Sequence, residues 1–72
     1  MEKEKTITNN LKTIREKRLI SKTELAREAE ISLVTLDRIE KGYDCRLSTK
    51  RKIIEALGLD FDDKDEVFPE NN

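Results

Sequence analysis

Apolar residues recur along this chain at spacings of three and four and nowhere alternate, which predicts helices throughout and no strand. Leu11 and Ile14 predict a first helix from about 9 to 17 or 18, capped by Thr8 or Asn9, with Leu19 or Ile20 closing its exit. Leu25, Ala26 and Ala29 give a narrow stripe for a second helix over 22–29. Ser21 heads it, and Glu24 stands three residues on, the S-x-x-E spacing of a capping box. Leu36 and Ile39 are the buried stripe of a third helix over 33–40, with Ser32 as its cap and Gly42 as its stop. After a loop at 43–47, a fourth helix starts at Ser48 or Thr49 and ends at Leu57, before Gly58. Ile53, Ala56 and Leu57 form its inner face and Ile54 lies on its flank. Leu59 and Phe61 are expected to pack back. A short last helix over 62–67 begins with acids that suit a helix N-terminus, and Pro69 ends it.

The pattern therefore predicts an all-α chain, a compact bundle of about five short helices. A single domain spans 9–68, between a flexible N-terminal arm at 1–8 and a disordered tail at 69–72. The second and third helices are joined by a tight turn at Glu30 and Ile31, with Ile31 pointing inward. Small Ala26 sits where two steeply crossing helices must approach closely. These are the requirements of a helix-turn-helix, whose second helix can enter the major groove of DNA.

Composition narrows the classes. Seventy-two residues allow one domain with a limited core, which oligomerisation would help. Cys45 is alone, so no intrachain disulfide forms, and the absence of His argues against a structural zinc site. No apolar run suggests a signal peptide or a membrane span, so a soluble cytoplasmic protein is expected. The net charge of −1 argues against a nucleic-acid partner until it is divided. Residues 11–52 hold 12 Lys and Arg against 7 Asp and Glu, whereas 53–72 hold 1 against 7. A basic body with an acidic end suits one face meeting phosphate and another turned away, although the same charges also serve simply to solvate a small helical domain. Catalysis is not expected: there is no His and no phosphate-cradling glycine loop, and the paired Asp62 and Asp63 read as a helix start.

The run LKTIREKRLISKTELAREAEISLVTLDRIEKG, followed by IIEALGL, resembles the lambda-Cro/cI class of helix-turn-helix proteins, the XRE-like bacterial regulators. The marks are Leu11, Arg15, Ser21, Leu25, Ala26, Ile31, Ser32, Leu36, Ile39, Glu40, Gly42, Ala56, Leu57 and Gly58, in this order and spacing. The resemblance implies a lambda-repressor-like fold and a transcriptional regulator of double-stranded DNA, a repressor acting as a homodimer on a near-palindromic operator. It would be cytoplasmic and nucleoid-associated, with no cofactor, no metal and no membrane. The chain departs from the family's usual pattern after Gly42, where the loop is one residue shorter and carries Arg46 near the usual proline.

By residue-for-residue match, Leu33, Val34 and Arg38 fall where the family reads base edges, with Thr35 and Asp37 beside them. Arg38 suits a bidentate contact to guanine O6 and N7, Leu33 and Val34 suit thymine methyl groups, and Asp37 suits an accepted bond from cytosine N4. Asp37 also repels phosphate, so it should reject many sequences. The competing readings are a protein-contact patch for Leu33 and Val34, a place partly in the core for Val34, and a surface ion pair with Asp37 or Glu40 for Arg38. Candidate phosphate contacts are Lys22, Ser32, Lys41, Tyr43, Arg46, Lys50 and Arg51; such contacts position a protein without specifying sequence. The resemblance further implies a structural ion pair between Arg15 and Glu40. Val67 and Phe68 are expected either as a dimer contact or as the completion of the core.

Overall fold

The computed structural model describes residues 9–69. The expected arm at 1–8, the Thr8 cap and all of the expected tail except Pro69 lie outside them. The described chain is helical, in the order α1 (Leu11–Lys17), α2 (Lys22–Glu28), α3 (Leu33–Glu40), α4 (Leu47–Ala56), a 3-10 turn (Phe61–Asp63) and α5 (Lys64–Val67). It has the lambda-repressor-like helix-turn-helix architecture. α2 packs on both α3 and α4, and α4 also receives the 3-10 turn and α5. Leu11, Leu25, Leu36, Ile39, Ile53, Ile54, Leu57 and Val67 are fully buried between them.

Local chemistry accounts for the boundaries. Ser21 Oγ accepts from the Glu24 N–H (3.0 Å), and Ser32 Oγ accepts from the Thr35 N–H (3.0 Å). Only the serine half of the expected capping box forms, since among the described residues no bond returns from the Glu24 carboxylate to Ser21. Asn10, not Asn9, is the α1 N-cap, while Asn9 Oδ1 accepts from the Leu11 N–H (3.1 Å). α4 starts at Leu47, one residue before the expected Ser48, because the extended backbone of Arg46 already serves as its N-cap.

One turn geometry ends all four longer helices. The N–H two residues past the C-cap bonds back to the third-last helical carbonyl: Ile20 to Arg15, Ile31 to Ala26, Tyr43 to Arg38 and Leu59 to Ile54, at 3.0–3.2 Å. This is the Schellman arrangement, which puts the intervening residue in the left-handed region. Gly42 (φ 109°) and Gly58 (φ 81°) fill that place after α3 and α4, as their positions in the sequence suggest. Leu19 (φ 59°) and Glu30 (φ 60°) fill it after α1 and α2. A side chain there is strained. The strain is held by Ile20 and Ile31, which pack against the core immediately afterwards.

Replacing Leu19 or Glu30 with Gly should therefore stabilise the fold by about 0.5–1 kcal/mol, the relieved strain being partly offset by a looser unfolded chain. Little is lost in exchange. Leu19 is 91 % exposed, and the ion pair of Glu30 among the described residues, with Lys52 at 3.8 Å, is at the surface. Thermal unfolding should show a rise of a few degrees; an unchanged or lower midpoint for both variants would contradict the account.

Three expectations about packing need correction. Ile54 is fully buried rather than flanking, because α4 is covered on two sides, by α2 and by the C-terminal segment. Phe61 does not pack back; it stays exposed, with the Arg51 guanidinium over its ring at 5.4 Å. Val67 and Phe68 are core residues, so they are not on the surface to form a dimer contact. Asn10 draws them in: its backbone N–H donates to the Val67 carbonyl (2.9 Å) and its side-chain amide to the Glu66 carbonyl (2.8 Å). Leu59 does pack against the core, as expected, and of the two candidates for the exit of α1 it is Ile20 that does so.

Candidate nucleic-acid interface

The site is one face of α3. Leu36 and Ile39 anchor the helix in the core, so the residues between them must point outward. Leu33 is 47 % exposed and Val34 68 %, and Thr35 and Arg38 are exposed beside them. Two shallow open hollows lie along this face. Lys22, Leu33, Val34 and Asp37 line one; Val34, Thr35, Arg38, Ile39, Tyr43, Asp44 and Cys45 line the other.

The charges on this face are already partitioned. Asp37 accepts from Lys22 Nζ (2.9 Å) and lies 3.1 Å from Lys41 Nζ, one turn along the same helix. The hydrogen bonds from Lys22 and then Lys41 hold the Asp37 carboxyl below its ordinary range, and the bond to Asp37 raises the Lys22 ammonium in turn. The sign follows: what this cluster adds to stability is present above the ordinary carboxylate value of 3.8 and is lost as the pH falls through the lower folded value. At neutral pH the cluster is insensitive to pH and sensitive to salt. Two expected phosphate contacts, Lys22 and Lys41, thus share one carboxylate.

Arg38 makes no ion pair among the described residues. Its guanidinium lies over the Tyr43 ring, 5.0 Å from the centroid. Neither carboxylate expected to compete for it is available, since Asp37 holds the two lysines and Glu40 holds Arg15. In that last pair Arg15 Nε donates to Glu40 Oε2 (2.7 Å) and Nη2 to Oε1 (3.3 Å), with the side chains only 8 % and 4 % exposed. Arg15 Nη1 also donates to the Ile20 carbonyl (2.9 Å), so one guanidinium ties α1, the approach to α2 and the end of α3 together.

The remaining sequence-predicted contacts are scattered. Ser32 donates its hydroxyl proton to Thr35 Oγ1 (2.8 Å) while capping α3, which leaves the Thr35 hydroxyl proton to be donated elsewhere. Arg46 is exposed at the start of α4. Lys50 is drawn toward Asp44 (3.5 Å) and lies over the Phe68 ring at 5.5 Å; Arg51 turns to Phe61. Neither hollow includes any of these three. Cys45 is half-buried, and burial pushes its thiol up, so it stays protonated at neutral pH.

Asn9 was expected only as a cap of α1, and sequence reasoning missed its bond to α3. Its side-chain amide donates to the Ile39 carbonyl (2.9 Å) while its oxygen caps α1, so it fastens the start of α1 to the end of α3. The only signal was an Asn just before the first apolar stripe.

This fold and face define a helix-turn-helix module whose second helix, α3, turns an exposed face outward. Residues 11–64 match the helix-turn-helix family model, so the chain belongs to the Cro/C1-type, XRE-like helix-turn-helix family, a family of DNA-binding regulators rather than enzymes. No curated protein matches the chain. Among the described residues, no helix is long and apolar enough to cross a membrane.

Proposed function

We propose that this protein is a sequence-specific transcriptional repressor of the cytoplasm, which inserts α3 into the major groove of double-stranded DNA as a homodimer on a near-palindromic operator. The observation that carries the reading is the outward row Leu33, Val34, Thr35, Asp37 and Arg38 on a helix whose other side is locked in the core. Base-edge contacts come from this row, and phosphate contacts from Lys22, Ser32, Lys41, Tyr43, Arg46, Lys50 and Arg51 around it. Occupancy alone represses where an operator overlaps a promoter, and it needs no cofactor. With Val67 and Phe68 in the core, the contact between copies falls on other surface.

Selection of bound sequences from a random duplex pool tests the proposal. An enriched inverted repeat with half-sites about one helical turn apart supports both the DNA reading and the dimer. A single enriched half-site removes the dimer, and no enrichment from folded protein rejects the function. The exposed Leu33–Val34 pair favours one second reading, a surface for a protein partner, which that last result would bring forward.

Asp37 sets the balance between affinity and selectivity in this proposal. Asp37→Asn releases Lys22 and Lys41 to phosphates and removes a like charge from the groove. Binding to unrelated duplex should tighten and its salt dependence should steepen by about one to two phosphate contacts. Titrations at several salt concentrations would show this; an unchanged slope would mean that the lysines never meet phosphate.

A further inference from the structure

We propose that the hollow formed by Val34, Arg38 and Tyr43 reads a pyrimidine bearing a C5-methyl group followed on the same strand by guanine, a 5′-TG-3′ step in ordinary DNA. The inference rests on the DNA reading proposed above and names the base step that this part of the face takes.

Three observations carry it. Val34 and Arg38 are one turn apart on the outer side of α3, so their side chains are neighbours, and both line a hollow of about 270 Å³ together with Tyr43. Arg38 lies over the Tyr43 ring at 5.0 Å, its side chain is exposed, and among the described residues it makes no side-chain hydrogen bond or ion pair. The carboxylates at 37 and 40, which would otherwise capture the guanidinium, are held by Lys22 and Lys41 and by Arg15. Arg38 is thus a planar donor fork kept from internal partners, with an exposed branched aliphatic side chain beside it.

Guanine matches the fork, because O6 and N7 are adjacent acceptors in the major groove. Adenine places an N6–H₂ donor where O6 would be and is rejected. The C5-methyl of the pyrimidine on the 5′ side of that guanine stands next to N7 in the major groove, so an apolar group beside the arginine meets it. Val34 is that group. Unmethylated cytosine presents no methyl there and leaves the Val34 surface against water. Tyr43, an expected phosphate contact, becomes the positioning residue of Arg38. Thymine and 5-methylcytosine offer the same methyl, so both satisfy the chemistry.

The test uses the full chain and the duplex enriched by selection. At the pyrimidine of the TG step, thymine is replaced in turn by deoxyuridine, by cytosine and by 5-methylcytosine, the latter two with guanine opposite. Deoxyuridine should bind about threefold to tenfold more weakly than thymine, the worth of one buried methyl. 5-Methylcytosine should recover affinity over cytosine by a similar factor. Val34→Ala, at an exposed position where the circular dichroism should not change, should abolish both differences. Tyr43→Leu should reduce the preference for guanine over adenine at the next base. The inference is overturned by equal binding of thymine and deoxyuridine, by equal binding of the two cytosines, or by an enriched site with no such step. Each of these leaves sequence-specific DNA binding standing, whereas the absence of any enriched site brings down both readings.

Discussion

Arg15→Ala and Glu40→Ala should each leave the protein largely unfolded at physiological temperature. The pair is buried, bidentate at 2.7 and 3.3 Å, and joins α1 to the last turn of α3. Removing either partner strands the other charge in the interior, which costs about 3–5 kcal/mol. A single core in a domain of this size supplies about 3–5 kcal/mol in all, so the loss consumes the margin. The two ends are not equivalent. Arg15→Ala also orphans the Ile20 carbonyl, so it should be the worse of the two. The double replacement Arg15→Met with Glu40→Leu leaves no stranded charge and should lie well above the sum of the single losses. Denaturant unfolding of these proteins, together with the single variants Arg15→Met and Glu40→Leu, closes the cycle, and a loss under about 1 kcal/mol for Glu40→Ala would show the pair to be ornamental.

Arg38→Ala separates binding from folding in the opposite sense. The side chain is exposed and, among the described residues, makes no ion pair and lies over the Tyr43 ring at 5.0 Å, so the melting temperature should hardly move. Loss of a bidentate contact to guanine removes about 1–3 kcal/mol of discrimination, or roughly tenfold to a hundredfold in affinity for the selected operator. Binding to unrelated duplex should fall far less, because that binding is carried by the phosphates. Anisotropy titrations with the operator and with a scrambled duplex distinguish the cases. Equal loss on both would make Arg38 a phosphate contact, and no loss on either would place the operator elsewhere on the surface.

Much of the fold was legible because its signals are local. Ser21 and Ser32 announce the starts of α2 and α3 by chemistry that needs only the next three residues. Gly42 and Gly58 announce the ends of α3 and α4 because they relieve the left-handed turn without strain. The same turn after α1 and α2 was not legible as such, since Leu19 and Glu30 carry no mark of positive φ. Only the burial of Ile20 and Ile31 compels it. The burial of Ile54 was likewise hidden, and the choice between core and dimer contact for Val67 and Phe68 stayed open. Both depend on the C-terminal segment closing onto α4 and on bonds from Asn10 to residues 66 and 67, more than fifty positions away. No pattern read within one helix reports what covers its second side.

For the interface the division is similar. The helical architecture, the outward row on α3 and the identity of the charged groups around it could be read along the chain, because helical periodicity separates anchored from exposed positions. On that face, which charge holds which depends on how the helices dock. Lys22 and Lys41 close on Asp37 and Arg38 is left over the Tyr43 ring, whereas the Arg15–Glu40 pair was already implied by the family resemblance. Ion pairing is governed by distances of about 3–4 Å between the ends of long side chains. Those distances exist only once the helices have been docked by the core.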